Sequence, residues 1–128
     1  MIIKQLSIFL NNKIGRFTEI TRILGEAGVN LQAFTLAENS DFGILRLITD
    51  NNEKAVGVLR EHMFAVSTTD VLYLECPDVP GELSKSMSRI SSTGTSIEYM
   101  YAFSSDGKAK VVIRTNDVLA CEAALSKQ

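Results

Sequence analysis

The chain has 128 residues, of which 45% are hydrophobic and 22% charged, a balance typical of a folded globular protein. Its formal net charge of -2 at pH 7 argues against the broad basic surface that general nucleic-acid binding requires. No apolar run approaches the roughly 20 residues that span a bilayer, and no charged-then-apolar leader opens the sequence, so we expect a soluble cytoplasmic protein without membrane contact.

The first half of the sequence predicts secondary structure in the order strand, helix, strand, strand, helix. Alternating apolar residues predict the strands, and apolar residues at helical spacing predict the helices. The ranges are Met1–Leu10, Phe17–Ala27, Asn30–Glu38 and Phe42–Thr49, followed by a helix that carries Ala55, Val56, Leu59 and Met63. Gly28 is placed to end the first helix, and Asp50–Asn52 to cap the second. Two sets of side chains should lie on opposite faces of the second strand: Leu31, Ala33 and Thr35 on one, Phe34 and Leu36 on the other.

The same pattern occurs again 66 residues later, without a gap. Gly15 corresponds to Gly81 (81 − 15 = 66), and Gly28 corresponds to Gly94. Apolar positions correspond in the same register, so the two halves repeat each other. The second set of ranges is Val71–Cys76, Leu83–Ile90, Ile97–Phe103, Ala109–Arg114 and a last helix from its cap at Asn116 to Leu125.

The order strand–helix–strand–strand–helix–strand is the ferredoxin-like arrangement, in which helices cover one face of an antiparallel sheet. We therefore predict an α+β fold of two ferredoxin-like βαββαβ units packed side by side, over residues 1–69 and 70–128. The second unit lacks its own last strand, and Phe64–Cys76 is predicted to form one β stretch that joins the copies. Met1–Lys4 or a partner chain supplies the missing strand, or no strand takes its place.

No set of catalytic or metal-binding residues is apparent. His62 is the only histidine, and its place near a helix end suggests a surface residue. Cys76 and Cys121 form no CxxC pair, which predicts free, buried thiols in a reducing compartment. Metal-ligand spacings and nucleotide-binding or hydrolase motifs are absent as well. We expect a protein that is not an enzyme and that has no metal or cofactor.

The two glycine turns are the strongest candidates for a site. Asn12–Phe17 and Asp78–Leu83 each follow a strand and precede a helix. One interpretation is that each glycine only permits a tight turn. The other is that the free N–H groups at the helix start hold the anionic group of a small molecule, as they would the carboxylate of a zwitterion.

These turns, together with the second glycine of each copy, resemble the signature of an ACT domain. Asp78–Leu83 precedes Gly94-Thr95-Ser96-Ile97, and Lys13–Phe17 precedes Gly28-Val29-Asn30-Leu31. The resemblance covers nearly the whole chain, twice. It implies ACT-like βαββαβ units, with an amino acid bound at their interface by the first turn and the start of the second strand. Carried onto this sequence, the ligand-binding residues are Asn11, Asn12, Ile14, Gly15, Asn30 and Leu31 in the first copy, and Asp78, Val79, Gly81, Ser96 and Ile97 in the second.

The leading hypothesis is a non-catalytic regulatory protein, a homodimer that senses a free amino acid allosterically. A second hypothesis is an interaction subunit that binds a metabolic enzyme without a small ligand, because both faces of the sheet are apolar. A third is RNA binding through Tyr99, Tyr101 and Phe103, since RRM domains share this topology. The absence of the RRM aromatic motif and the acidic charge speak against the third, and we expect no nucleic-acid partner.

Overall fold

The computed structural model describes residues 1–11, 13–38 and 41–126. Its ten elements have the predicted order, including the one long strand between the copies. Their bounds are β1 Ile2–Asn11, α1 Arg16–Glu26, β2 Leu31–Glu38, β3 Phe42–Thr49, α2 Asn52–Glu61, β4 Ala65–Pro77, α3 Glu82–Ser91, β5 Ile97–Ser105, β6 Lys108–Thr115 and α4 Val118–Ser126. No strand comes after α4 in the described residues, so the prediction that the second copy lacks its own last strand is confirmed.

The 66-residue repeat is visible in the pairing of the strands. Leu10 on β1 lies opposite Gly43 on β3, and Cys76 on β4 lies opposite Ala109 on β6. All of these pairs are antiparallel, with β3 between β1 and β2 and with β6 between β4 and β5. Each edge strand also contains one register shift, between Leu31 and Ala33 in β2 and between Ile97 and Tyr99 in β5. The predicted α+β fold of two ferredoxin-like repeats is therefore confirmed, and the two copies share the register shift as well.

The chain divides into two compact units, of which one comprises Lys4–Thr69. Its core is formed where the apolar stripes of α1 and α2 pack on one face of β1 and β3. This face is apolar because alternate residues of a strand point to the same side of the sheet. The buried residues are Leu6, Ile8, Leu10, Ile20, Ile23, Leu24, Val29, Leu45, Leu47, Ala55, Leu59 and Phe64.

The other unit comprises Met1–Ile3 and Asp70–Gln128. Its core is formed by Leu72, Leu74, Cys76, Ile90, Val111, Ile113 and Cys121. The backbone N–H of Tyr73 on β4 donates to the Met1 carbonyl at 2.7 Å, which ties the first residue of the chain to this unit. Cys76 and Cys121 are both free and buried, as predicted. The domain ranges 1–69 and 70–128 stay a prediction.

Three local predictions are wrong. Asn116 does not cap the last helix, because Asp117 Oδ1 accepts the Ala120 N–H at 3.0 Å. Met63 is not a position of α2, since it lies after the helix in a left-handed conformation and is 89% exposed. Leu31 does not share a face with Ala33, because the register shift turns Leu31 toward the core that the helices cover.

Candidate functional site

The first glycine turn has the geometry that the sequence suggested. Gly15 adopts φ 86° and ψ 0°, in the left-handed region that favours glycine. Helix α1 begins directly after it, and no side chain of the described residues caps the helix. By contrast, the Asn51 side chain caps α2 by accepting the Lys54 N–H at 3.1 Å. The Arg16 N–H donates to the Lys13 carbonyl at 3.3 Å, and the N–H groups that follow it in the first turn of α1 are open to an anionic group.

A cleft of about 120 Å³ lies against this turn. One side of the cleft is apolar, and the other carries two cationic side chains and one amide. The lining residues are Leu10, Asn11, Lys13, Gly15, Arg16, Phe17, Thr18, Leu36 and Gly43. The cleft can hold several water molecules, or a small group that has a charged end and an apolar end.

Arg16 is held in place at the cleft by three contacts. Its Nε–H donates to Asn11 Oδ1 at 2.9 Å, and one of its Nη atoms donates to Glu19 Oε2 at 3.1 Å. Its guanidinium also lies over the Phe64 ring, 4.9 Å from the centroid. The two hydrogen bonds use two of the five guanidinium N–H groups, so this positioned cation retains donors for an anionic ligand.

The second glycine turn repeats the backbone but not the charges. Gly81 adopts φ 90°, and α3 begins after it without a side-chain cap from the described residues. The Asp78 N–H donates to the Gly107 carbonyl at 2.9 Å, which ties the turn to the β5–β6 hairpin. The first residue of α3 is Glu82, whose carboxylate binds Lys85 at 3.0 Å.

The structure places the remaining predicted site residues at the other end of each unit. Asn11 lies opposite Phe42, and Leu31 lies opposite Thr49. Phe42 and Thr49 are seven residues apart on β3, which is roughly 24 Å at about 3.4 Å per residue. Asn30 and Leu31 are therefore too far from the turn of their own unit to contact the same small ligand.

The same separation holds in the second copy. Pro77, next to the turn, lies opposite Lys108, and Ile97 lies opposite Thr115 at the other end of β6. Ser96 is held there because its N–H donates to Asn116 Oδ1 at 3.0 Å. The equivalent Asn30 N–H donates to an Asp50 carboxylate oxygen at 2.9 Å.

Not every predicted residue contributes to the cleft at the first turn. Asn11 and Gly15 line it. Ile14 projects into solvent, with a relative exposure of 107%, and Asn12 lies outside the described residues. In the second turn, Asp78 and Val79 are exposed.

Sequence reasoning also missed residues that line the cleft, among them Phe17, Leu36 and Gly43. Gly43 could have been identified from the sequence, since a glycine inside a strand often marks a place where another group approaches the backbone. The contribution of Leu36 depends on the pairing of β2 with β3, which the sequence alone does not specify.

The unit that contains β4 carries a separate polar cluster. The Tyr73 hydroxyl donates to Glu75 Oε1 at 2.7 Å. Burial, and secondly this bond and the charge of Glu75, raise the pKa of Tyr73 to about 12. The same bond, together with Lys108 and Lys110, lowers the pKa of Glu75. The Glu75 carboxylate is thus held by Tyr73 and Lys108, and we assign the cluster no ligand.

Neither a cluster of metal ligands nor a membrane-spanning helix is found in the described part of the chain. Residues 1–11, 13–38 and 41–126 bring no three His, Cys, Asp or Glu side chains together as metal ligands. None of the described helices combines the length and hydrophobicity needed to cross a bilayer.

Comparison with known proteins identifies the class. A family model described as an ACT domain pair matches residues 1–126. The chain therefore belongs to the ACT domain pair family, which confirms the resemblance seen in the two turns. None of the curated proteins that were searched matches the chain.

Solved structures support the same fold over the whole chain. Protein BT0572 from Bacteroides thetaiotaomicron is 47% identical, with a TM-score of 0.95, and the match covers 99% of this chain and 88% of that one. The ligand-free regulatory subunit of aspartate kinase from Thermus thermophilus is 15% identical with a TM-score of 0.70, covering 98% and 93%. The Thermus flavus regulatory subunit is 16% identical with a TM-score of 0.66, covering 98% and 91%. At such identities the two aspartate kinase subunits show the fold alone.

Proposed function

We propose that this protein is a non-catalytic regulatory protein that binds a free amino acid at an interface of ACT units and acts as an allosteric sensor. One observation carries the proposal. The helices that come after Gly15 and Gly81 begin without a side-chain cap from the described residues, whereas Asn51 and Asp117 cap the other two. The uncapped N–H groups and the helix dipole can bind the carboxylate of an amino acid.

The distance between the two halves of the predicted site supports binding at an interface. Gly15 and Asn30 of one unit lie at opposite ends of β3. A ligand that contacts a turn and a strand start must therefore take them from different units. Such a ligand stabilises one arrangement of the units over others, and this shift in population transmits the signal.

The partners that we propose are a second copy of the chain and a cytoplasmic enzyme of amino-acid metabolism. The fold is that of aspartate kinase regulatory subunits, which are partners of an enzyme by name. A purely structural interaction subunit is the second candidate. It is favoured by two phenylalanines on the sheet face away from the helices, Phe9 and Phe42, which are 55% and 59% exposed.

A thermal-shift screen of the proteinogenic amino acids tests the sensor. At least one amino acid should raise the melting temperature of the wild-type chain in proportion to the logarithm of its concentration. Gly15→Asp together with Gly81→Asp should abolish the shift, because each change places a carboxylate where the ligand's carboxylate binds. Gly25→Asp adds the same charge at an exposed helical position of α1, away from the turn, and should retain the shift.

The outcomes separate the two candidates. If no amino acid shifts the wild-type melting temperature, the sensor function is wrong. Retention of enzyme binding by the Gly15→Asp/Gly81→Asp variant, in the absence of any ligand response from the wild type, would favour the interaction subunit.

A further inference from the structure

The cleft at the first turn has no chemical counterpart at the second. Because the two copies pair their strands in the same register, each lining residue can be matched with the residue 66 positions later. Only Gly15 is unchanged, as Gly81. The residues that match the lining, in order, are Cys76, Pro77, Val79, Gly81, Glu82, Leu83, Ser84, Ala102 and Ala109.

The charge of the lining is reversed between the copies. Lys13 and Arg16 make the first cleft cationic, and Glu19 is already bound to Arg16 at 3.1 Å. The matching residues of the second turn are Val79 and Glu82. A carboxylate ligand is attracted to the cations of the first turn, whereas the matching positions of the second turn carry no cation, and Glu82 is bound to Lys85.

The position of these charges relative to the helices increases the difference between the turns. An acidic residue at a helix start is favourable, and a basic one is unfavourable, because of the helix dipole. Glu82 provides α3 with its own anion at that position. Arg16 places a cation at the start of α1, where it does not balance the positive end of the dipole. Glu19, in the same turn of α1, pairs with Arg16, so Lys13 is the cation that adds to the positive end of the dipole at the first turn.

The space in the cleft also differs. A Cβ added to Gly43 would lie 3.5 Å from Leu36 Cδ1 and 3.8 Å from Leu10 Cβ. The missing methyl group therefore leaves room between the two leucines that line the apolar side. In the second copy Ala109 has that methyl group and packs against the core of its unit.

We infer that the chain binds one ligand and not two, in the cleft of the Asn11–Phe17 turn, and that the ligand is an aliphatic amino acid. Its carboxylate lies against Arg16, Lys13 and the start of α1, and its side chain lies against Leu10 and Leu36 above Gly43. The second turn has the same backbone conformation, but it lacks the cationic side chains and the glycine that line the first cleft. This inference rests on the proposed function and adds to it the stoichiometry and the ligand class.

Isothermal titration of the full-length protein with L-leucine, L-isoleucine and L-valine tests the inference. At least one of these probes should bind the wild type with one site per chain, and L-lysine should not bind. Gly43→Ala should weaken binding about tenfold or more, because its methyl group occupies the space of the ligand's side chain. Arg16→Glu should do the same by reversing the charge.

Matched variants in the second copy serve as controls. Ala109→Gly and Glu82→Gln should leave affinity and stoichiometry unchanged. Gly43 has no left-handed φ and its added Cβ makes only ordinary contacts, so Gly43→Ala is expected to fold, which a melting curve verifies.

Each result decides between the alternatives. Two sites per chain, or loss of binding through Ala109→Gly rather than Gly43→Ala, would overturn the inference and leave the sensor function standing. Binding of a charged amino acid but of no aliphatic one would refute the ligand class alone. If no amino acid binds in any assay, the proposed function fails as well.

Discussion

Alanine substitutions at three glycines can distinguish the effect of backbone strain on stability from the effect of side-chain packing. Gly15, Gly81 and Gly25 each have no heavy atom within 4 Å of the place where a Cβ would stand. They differ in backbone conformation, since the first two have φ of 86° and 90° while Gly25 is helical. Gly15→Ala and Gly81→Ala should therefore each lower the free energy of unfolding by about 1–2 kcal/mol, the cost of a left-handed alanine. Gly25→Ala should raise it by about 0.5–1 kcal/mol.

Urea denaturation measures both directions, because these changes correspond to shifts of about 0.3–1 M in the midpoint at an ordinary dependence on urea. The three tyrosines of the chain, Tyr73, Tyr99 and Tyr101, all lie in the unit that contains Asp70–Gln128. Tyrosine fluorescence therefore reports the unfolding of that unit alone, whereas circular dichroism reports both units. Gly81→Ala should shift the fluorescence transition, and Gly15→Ala should shift the circular-dichroism transition.

A midpoint that shifts in the same direction for the alanine variants of Gly15 and Gly25 would refute this reasoning. Neither position has a packing contact to gain or lose, so an equal effect would mean that Gly15 does not need a left-handed backbone. The turn that the proposed site requires would then have a different conformation.

Side-chain contacts and burial lead to four further predictions. Asp117→Ala removes the cap of α4, and Asn51→Ala removes the cap of α2. Each change should lower the free energy of unfolding, measured in urea, by about 0.5–2 kcal/mol. An unchanged free energy of unfolding would contradict the capping. Glu75→Gln should lower the pKa of Tyr73 from about 12 while burial still keeps it above 10, which an absorbance titration measures. Because the raised pKa favours the protonated Tyr73 in the folded state, its contribution to stability should be lost as the pH rises from 10 to 12. Both cysteine thiols are buried, so a thiol reagent should react only after the chain unfolds.

The fold was predictable because its signals are local and occur twice. Hydrophobic periodicity identified the helices and strands, and the fixed spacing between Gly15 and Gly81 identified the repeat. The structure shows that this spacing extends to hydrogen bonds. Asn30 N–H to Asp50 in the first copy is repeated by Ser96 N–H to Asn116 in the second.

That pair of hydrogen bonds also explains why Asn116 was wrongly predicted to cap the last helix. Asp50 and Asn116 both hold the start of a strand, so the next residue, Asn51 or Asp117, is the one that caps the helix. The sequence offers more than one capping residue in a row in each copy, and composition does not distinguish them. The choice depends on which of them faces the neighbouring strand, which is a tertiary contact.

The cleft was less predictable for the same reason. Its cationic side depends only on the turn itself, where Lys13 and Arg16 are close in sequence. Its apolar side combines Leu10 with Leu36 and Gly43 from two other strands. Only the register of β2 on β3 and of β3 on β1 brings these residues to one place.

Comparison of the copies separates the residues that the fold needs from those that it does not. The second copy makes the same glycine turn, the same strand register and the same helix start with Val79, Glu82 and Ala109. The fold therefore does not require the matching Lys13, Arg16 and Gly43. A cation at a helix start and a glycine inside a strand are each unfavourable by a fraction of a kcal/mol to about 1 kcal/mol. The binding that we propose, of an anionic ligand with an apolar side chain, accounts for the presence of these residues at the first turn only.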